Sequence, residues 1–100
     1  MRSTIMYILF YSSMDIRKII GQNIRYYRLS ADLSQEGLAD RIGVDRAYIS
    51  GLEVGARNPT ILTLWSVAEA LKIKTAQLLD EEQSEKKFEM QRKRSPKRIT

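Results

Sequence analysis

Cysteine and histidine are both absent from this 100-residue chain. That removes disulfides, thiolate chemistry, the usual zinc ligand sets and every triad that needs an imidazole base. An enzyme is therefore not expected, nor is a metal, a cofactor or a small-molecule substrate. Long apolar runs are missing too. The longest, Ile5 to Tyr11, falls well short of the roughly 20 residues that span a bilayer, so no membrane span is expected. A signal peptide is equally unexpected, because Arg2 is the only basic residue before that short run and no small-residue cleavage site follows it. Nothing requires an oxidising compartment, and the expected location is the cytoplasm. The length suits one domain with a modest core, which points to a single small binding module.

The net charge of +5 is unevenly spread. Residues 1 to 85 carry 10 Lys and Arg against 11 Asp and Glu, whereas residues 86 to 100 carry 7 against 1. The basic excess belongs to the tail, so any nucleic-acid reading of the body must rest on pattern and not on bulk charge. Three zones follow from composition. Residues 1 to 13 (MRSTIMYILFYSS) form an apolar, aromatic N-terminal arm without acidic residues; residues 14 to 80 are mixed and periodic; residues 81 to 100 form a charged, basic tail. The arm's β-branched and aromatic run suggests a strand, and a strand needs a partner ladder. Pairing with the same strand of a second subunit is one expectation, disorder or a translation start at Met14 the other.

Within the middle zone, Ile16, Ile20, Ile24 and Tyr27 recur at helical spacing with Arg17, Lys18, Arg25 and Arg28 on the opposite arc, which predicts an amphipathic first helix. Ser34 is placed to cap a second helix carrying Leu38, Ala39 and Ile42, and Gly43 to stop it. Asp45 is placed to cap a third. There Tyr48, Ile49, Leu52 and Glu53 cluster on one side, and Arg46, Ala47, Ser50, Gly51 and Val54 on the other. After Gly55 and Asn58-Pro59-Thr60, the stripe Ile61, Leu64, Trp65, Ala68 and Leu71 predicts a fourth helix with Trp65 in the core. Thr75 is read as the cap of a fifth, Ala76 to about Asp80. The expected fold is all-α with five helices.

Small Ala39 four residues before Gly43, and Ile49 six after it, meet the needs of a helix-turn-helix: close helix crossing, a positive φ in the turn, and a second helix pinned so that its outer face projects. The stretch SQEGLADRIGVDRAYISGLEVGARNPT resembles the helix-turn-helix of the lambda repressor/Cro type, or XRE family, over residues 16 to about 80. Ile20-Gly21-x-x-Ile24-Arg25-x-x-Arg28, Leu33-Ser34-Gln35, Leu38-Ala39, Gly43 and Leu52-Glu53 carry the match. DRAYISGLE and the following RNPT are similar to small controller proteins of restriction-modification systems and to prophage regulators. Asp32, Gly37 and Val54 depart from the family pattern; Asp32 stands where glycine commonly makes the turn.

The resemblance implies a lambda-repressor-like domain that binds double-stranded DNA through its third helix. Arg46 is the leading candidate for reading a base, since its fork suits guanine O6 and N7; the alternative is a solvated surface arginine. Ala47, Ser50 and Gly51 share its face and are further base-reading candidates, against a face that is merely small and solvated. Gln35, Tyr48, Arg57 and Asn58 are candidates for phosphate contacts, with local capping and turn formation the competing role for Gln35, Arg57 and Asn58 and core packing for Tyr48. The resemblance further implies a structural ion pair between Arg28 and Glu53. One monomer makes few base contacts, so a homodimer on a pseudo-palindromic operator is expected, with half-sites about 34 Å apart. Its seam is expected at Ile73, Ala76 and Leu79. Two rival readings stand beside it: an antitoxin or other protein-interaction module whose helix-turn-helix is secondary, and a membrane-surface or RNA-binding protein that uses the basic tail, which a solvated tail adding non-specific phosphate attraction outweighs.

Overall fold

The computed structural model describes residues 15–82. Both the arm, residues 1 to 13, and all of the basic tail beyond residue 82 lie outside them. Among the described residues there are five helices and no strand: α1 (Ile16–Ser30), α2 (Gln35–Ile42), α3 (Arg46–Glu53), α4 (Ile61–Leu71) and α5 (Thr75–Leu78). None is long and apolar enough to cross a membrane.

Asp15 caps α1, its carboxylate accepting from the Arg17 backbone N–H at 2.9 Å and pairing with the Arg17 guanidinium at 2.6 Å. Those hydrogen bonds from Arg17 hold the Asp15 carboxyl down at about 2, below its ordinary 3.8. Ile19, Ile20 and Ile24 face the core. Ile16, read from the sequence as part of that stripe, is exposed, because it occupies the first turn beyond the reach of the neighbouring helices. After α1 the chain reverses through Asp32, whose φ of 61° is left-handed. Aspartate tolerates that conformation better than most side chains do.

The α2 cap is Ser34, whose hydroxyl accepts from the Gly37 N–H at 2.9 Å. Gly43, at φ 77°, closes the helix by donating to the Ala39 carbonyl at 2.8 Å, and the Val44 N–H reaches the same carbonyl at 3.0 Å. The turn Gly43-Val44-Asp45 then launches α3. Buried Leu38 and Ala39 of α2 join Ile49 and Leu52 of α3 in one core with Ile20, Ile24, Leu64, Val67, Ala68, Leu71 and Leu78. This locks α2 and α3 together as a rigid pair.

Two expectations for the C-terminal half need correction. On α4 the buried residues are Leu64, Val67, Ala68 and Leu71, whereas Ile61 is 79% and Trp65 53% exposed. The stripe is rotated toward Val67 because α4 packs with that side over α2 and α5, leaving the indole outside. The fifth helix also starts one residue earlier than read, with Lys74 and not Thr75 at its cap position. There the Lys74 N–H donates to the Gln77 side-chain oxygen at 2.9 Å, so Gln77 supplies the capping group that a hydroxyl at Thr75 was expected to supply. Leu79 follows the helix as its C-cap residue.

Packing α5 onto α1 relies on a buried amide. The Asn23 Nδ2 group donates at 2.9 Å to the carbonyl of Leu78, the last residue of α5, which the helix end leaves open, and at 3.2 Å to that of Asp80 just beyond it. Gln77 Nε2 adds a bond to the Tyr27 hydroxyl at 3.0 Å.

Candidate nucleic-acid interface

The outward face of α3 is where the fold and the sequence pattern converge. Ile49 and Leu52 are buried among core residues, and Glu53 is buried beside them. Arg46 and Ala47 are exposed, Ser50 and Gly51 half-buried. Arg46 opens the helix, and its N-terminal position places the longest cation of this face at the projecting end. Asp45 occupies the cap position but its side chain makes no cap hydrogen bond, and its carbonyl accepts instead from the Tyr48 N–H at 3.0 Å.

Beneath this face lies a buried polar cluster. Glu53 accepts from Arg28 Nε at 2.5 Å and from Arg28 Nη2 at 3.0 Å, a two-pronged pairing that joins α1 to the end of α3. Arg28 also donates to the Leu33 carbonyl at 2.7 Å, and Arg25 Nη1 approaches Glu53 at 3.9 Å. Both oxygens of this carboxylate accept hydrogen bonds from protein donors, which is the condition for keeping a charge out of water.

Gln35, read from the sequence as a phosphate clamp, is engaged within the protein. Its Nε2 donates to Glu53 Oε1 at 3.0 Å, and its Oε1 accepts from Arg46 Nη1 at 3.0 Å. The side chain therefore links the buried cluster to the exposed cation at the head of α3. No sequence signal marks this bridge, because the two partners lie 18 and 11 residues away and meet only in the folded pair of helices.

Arg57, a candidate phosphate contact in the sequence, lies against α3. Its guanidinium stacks over the Tyr48 ring, 5.4 Å from the centroid, a cation–π arrangement. Its chain passes so close to Gly51 that a Cβ there would stand 2.9 Å from Arg57 Cγ. The bare α-carbon of Gly51 thus makes room for an arginine from outside the helix, and with Tyr48 holding the guanidinium a second cation lies alongside the outward face of α3. Gly43, Val44, Asp45, Ala47, Tyr48 and Arg57 together line a shallow groove of about 480 Å³ along this side of the turn. Asn58 is exposed next to Arg57. Of the expected seam residues, Ile73 is half-buried against the protein's own core, while Ala76 and Leu79 are exposed.

A paired α2 and α3 with a clean outward face define a helix-turn-helix DNA-binding regulator. The Helix-turn-helix family HTH_3 matches residues 24–78, and the chain belongs to that family. It is 41% identical over 66 residues to an uncharacterised HTH-type transcriptional regulator, y4dJ, of Sinorhizobium fredii, covering 66% of this chain and 86% of that protein. Control protein C.SmaI of Serratia marcescens is 44% identical over 66 residues, covering 66% of this chain and 79% of that protein. Among solved structures, the restriction-modification controller protein C.AhdI of Aeromonas hydrophila superposes with a TM-score of 0.60 at 39% identity, over 62% of this chain and 94% of that one.

Proposed function

We propose that the chain is a sequence-specific transcriptional regulator that binds double-stranded DNA as a homodimer on a pseudo-palindromic operator. The observation that carries this reading is the division of α3, with Ile49, Leu52 and Glu53 buried and Arg46 and Ala47 projecting. A helix held from behind in this way can present its outer side chains to the major groove without the cost of ordering its backbone on binding. In this reading Arg46 contacts a guanine, with Ala47, Ser50 and Gly51 forming the small surface that lets the helix sit close to the base edges. Tyr48, Arg57 and Asn58 flank that surface and meet the phosphate backbone. Two copies are needed because one short face reads too few base pairs for useful selectivity. The names of the control proteins among its relatives support a regulatory role.

Selection from a pool of randomised DNA duplexes, followed by gel-shift titration, tests the proposal. The wild-type chain should enrich an inverted repeat with half-sites about one helical turn apart. Arg46→Ala should then lose about 1 to 3 kcal/mol on that sequence and little on random DNA. Equal losses on both would reduce Arg46 to a phosphate contact, and enrichment of no sequence would remove the operator-binding role.

A further inference from the structure

We propose that the apolar run Ile5 to Tyr11 of the N-terminal arm packs along the outer side of α4 in its own chain and covers Ile61, Leu62 and Trp65. This docking is independent of the operator-binding role.

The observation behind it is that α4 is apolar on two sides. Among its eleven residues Glu69 is the only charged one. Leu64, Val67, Ala68 and Leu71 are buried on the side that meets α2 and α5, whereas Ile61, Leu62 and Trp65 are exposed. A helix that is apolar nearly all round belongs in an interior, and adjoining large apolar side chains left on a surface mark a place that something covers. The face also continues into a hollow. Beside Trp65, Ile42 and Ala70 line an open groove of about 590 Å³ between α2 and α4.

Two segments of the chain flank the five helices, and only one has the chemistry of this face. Residues 83–100 contain no two adjacent apolar residues, and seven of them are Lys or Arg. Ile5 to Tyr11 is uncharged and apolar or aromatic throughout, and is as costly to leave in water as the face itself. In an extended run Met6, Ile8 and Phe10 share one wholly apolar side, while Tyr7 and Tyr11 fall on the other, where their hydroxyls meet water.

Reach and tethering favour the chain's own arm. The first turn of α1 lies against the end of α3, since a Cβ on Gly55 would stand 3.1 Å from the Lys18 Cα. Ile61 follows Gly55 by six residues, which span at most about 20 Å, so the head of α4 is within about 30 Å of Asp15. The ten residues from Ile5 to Asp15 extend to about 33 Å. A tether of that length holds the run at an effective concentration on the order of millimolar, an advantage that a second copy in dilute solution lacks. With α4 covered in this way, the α5 end is left for a second subunit.

Trp65 is the only tryptophan of the chain, so its fluorescence reports on this face alone. The test compares the wild type with Ile8→Asp, Phe10→Asp and a chain beginning at Met14, with circular dichroism of each. The wild-type indole should emit at short wavelength and resist acrylamide. In the other three, emission should move to longer wavelength and quenching should rise several-fold, with helical content kept. A wild-type indole as exposed as in the shortened chain would overturn the docking, and so would shielding that survives all three changes. Mixing separates the chain's own arm from that of a second copy. The chain beginning at Met14 is titrated with an excess of full chain carrying Trp65→Phe: continued exposure of its indole supports packing within one chain, and renewed shielding would overturn it in favour of an arm that crosses between copies. If the shortened chain loses helical content, the two point variants decide, and loss in all three would make the run part of the core and overturn its role as a docked segment.

Discussion

The backbone of Gly21 on α1 lies directly against the backbone of Leu52 at the end of α3. A Cβ at position 21 would run into the Leu52 carbonyl oxygen and stand 2.6 Å from that of Glu53. Backbone atoms on both sides leave no flexible group to move aside. This contact sets how deeply α3 seats on α1, and hence where its outer face stands.

Gly21→Ala should therefore be destabilising even though alanine favours helix. Overpacking of this kind costs about 3 kcal/mol where the neighbours are rigid, well above the roughly 1 kcal/mol that alanine returns in helix propensity. Urea unfolding followed by circular dichroism measures the difference. A midpoint at or above the wild-type value would show that α1 and α3 separate freely and that the contact does not position α3.

Gly51 makes the opposite case, because the atoms nearest its absent Cβ belong to a flexible side chain. A Cβ there would approach Arg57 Cγ at 2.9 Å and Nε at 3.2 Å, displacing the guanidinium from the Tyr48 ring. Gly51→Ala should keep or raise stability by up to about 1 kcal/mol through helix propensity. Its DNA affinity should nevertheless fall several-fold, and Arg57→Ala should cost less in the Gly51→Ala background than in the wild type. Fluorescence anisotropy with a labelled operator duplex reads both effects. Unchanged affinity in Gly51→Ala would mean that the draped position of Arg57 plays no part in binding.

Much of this architecture is legible along the chain because its causes are local. Ser34, Gly43 and Thr60 act within one turn of their own positions, and the period of Leu38, Ala39, Ile49 and Leu52 marks the helix pair without reference to anything distant. The outward face of α3 follows from the same arithmetic. What escaped sequence reading depends on which elements become neighbours. A helical wheel places Ile61 and Trp65 beside Leu64 and Ala68, but only the position of α4 over α2 and α5 decides that Val67 is covered and Trp65 is not. The seat of Arg57 over Gly51, and the span of Gln35 between Glu53 and Arg46, likewise join residues whose spacing has no period.

Asn23 offers a test of how α5 is held. Its side chain is fully buried, and its Nδ2 group serves the carbonyls of Leu78 and Asp80. Asn23→Ala removes both bonds and takes its buried donor from the Leu78 carbonyl at the end of α5, at a cost of about 2 to 3 kcal/mol. Asn23→Asp should be worse, since a carboxylate of similar shape would face those two acceptors with no hydrogen to offer at neutral pH. Chemical denaturation should rank the three as wild type, then Ala, then Asp. Equal stability of the alanine and aspartate variants would show that the amide does not bind these carbonyls.

The proposed homodimer would require a surface, and the exposed apolar residues supply two candidates. Leu79 is 41% exposed at the end of α5 beside exposed Ala76, and Leu62 is 74% exposed on the outer side of α4 near Ile61 and Trp65. The seam favoured here is α5 and its approach, where Ile73, just before the helix, packs onto the core. A lysine at a self-facing seam brings two like charges into an apolar contact, so Leu79→Lys should raise the dimer dissociation constant at least about tenfold, or ~1.4 kcal/mol. Sedimentation equilibrium measures it, with helical content unchanged because Leu79 contributes nothing to the core cluster. If Leu62→Lys weakens the dimer and Leu79→Lys does not, the seam lies on α4 instead. A wild-type chain that is monomeric at operator-binding concentrations would remove the homodimer, and would leave Ile61, Leu62 and Trp65 as the surface for a different protein, as an antitoxin-type module requires.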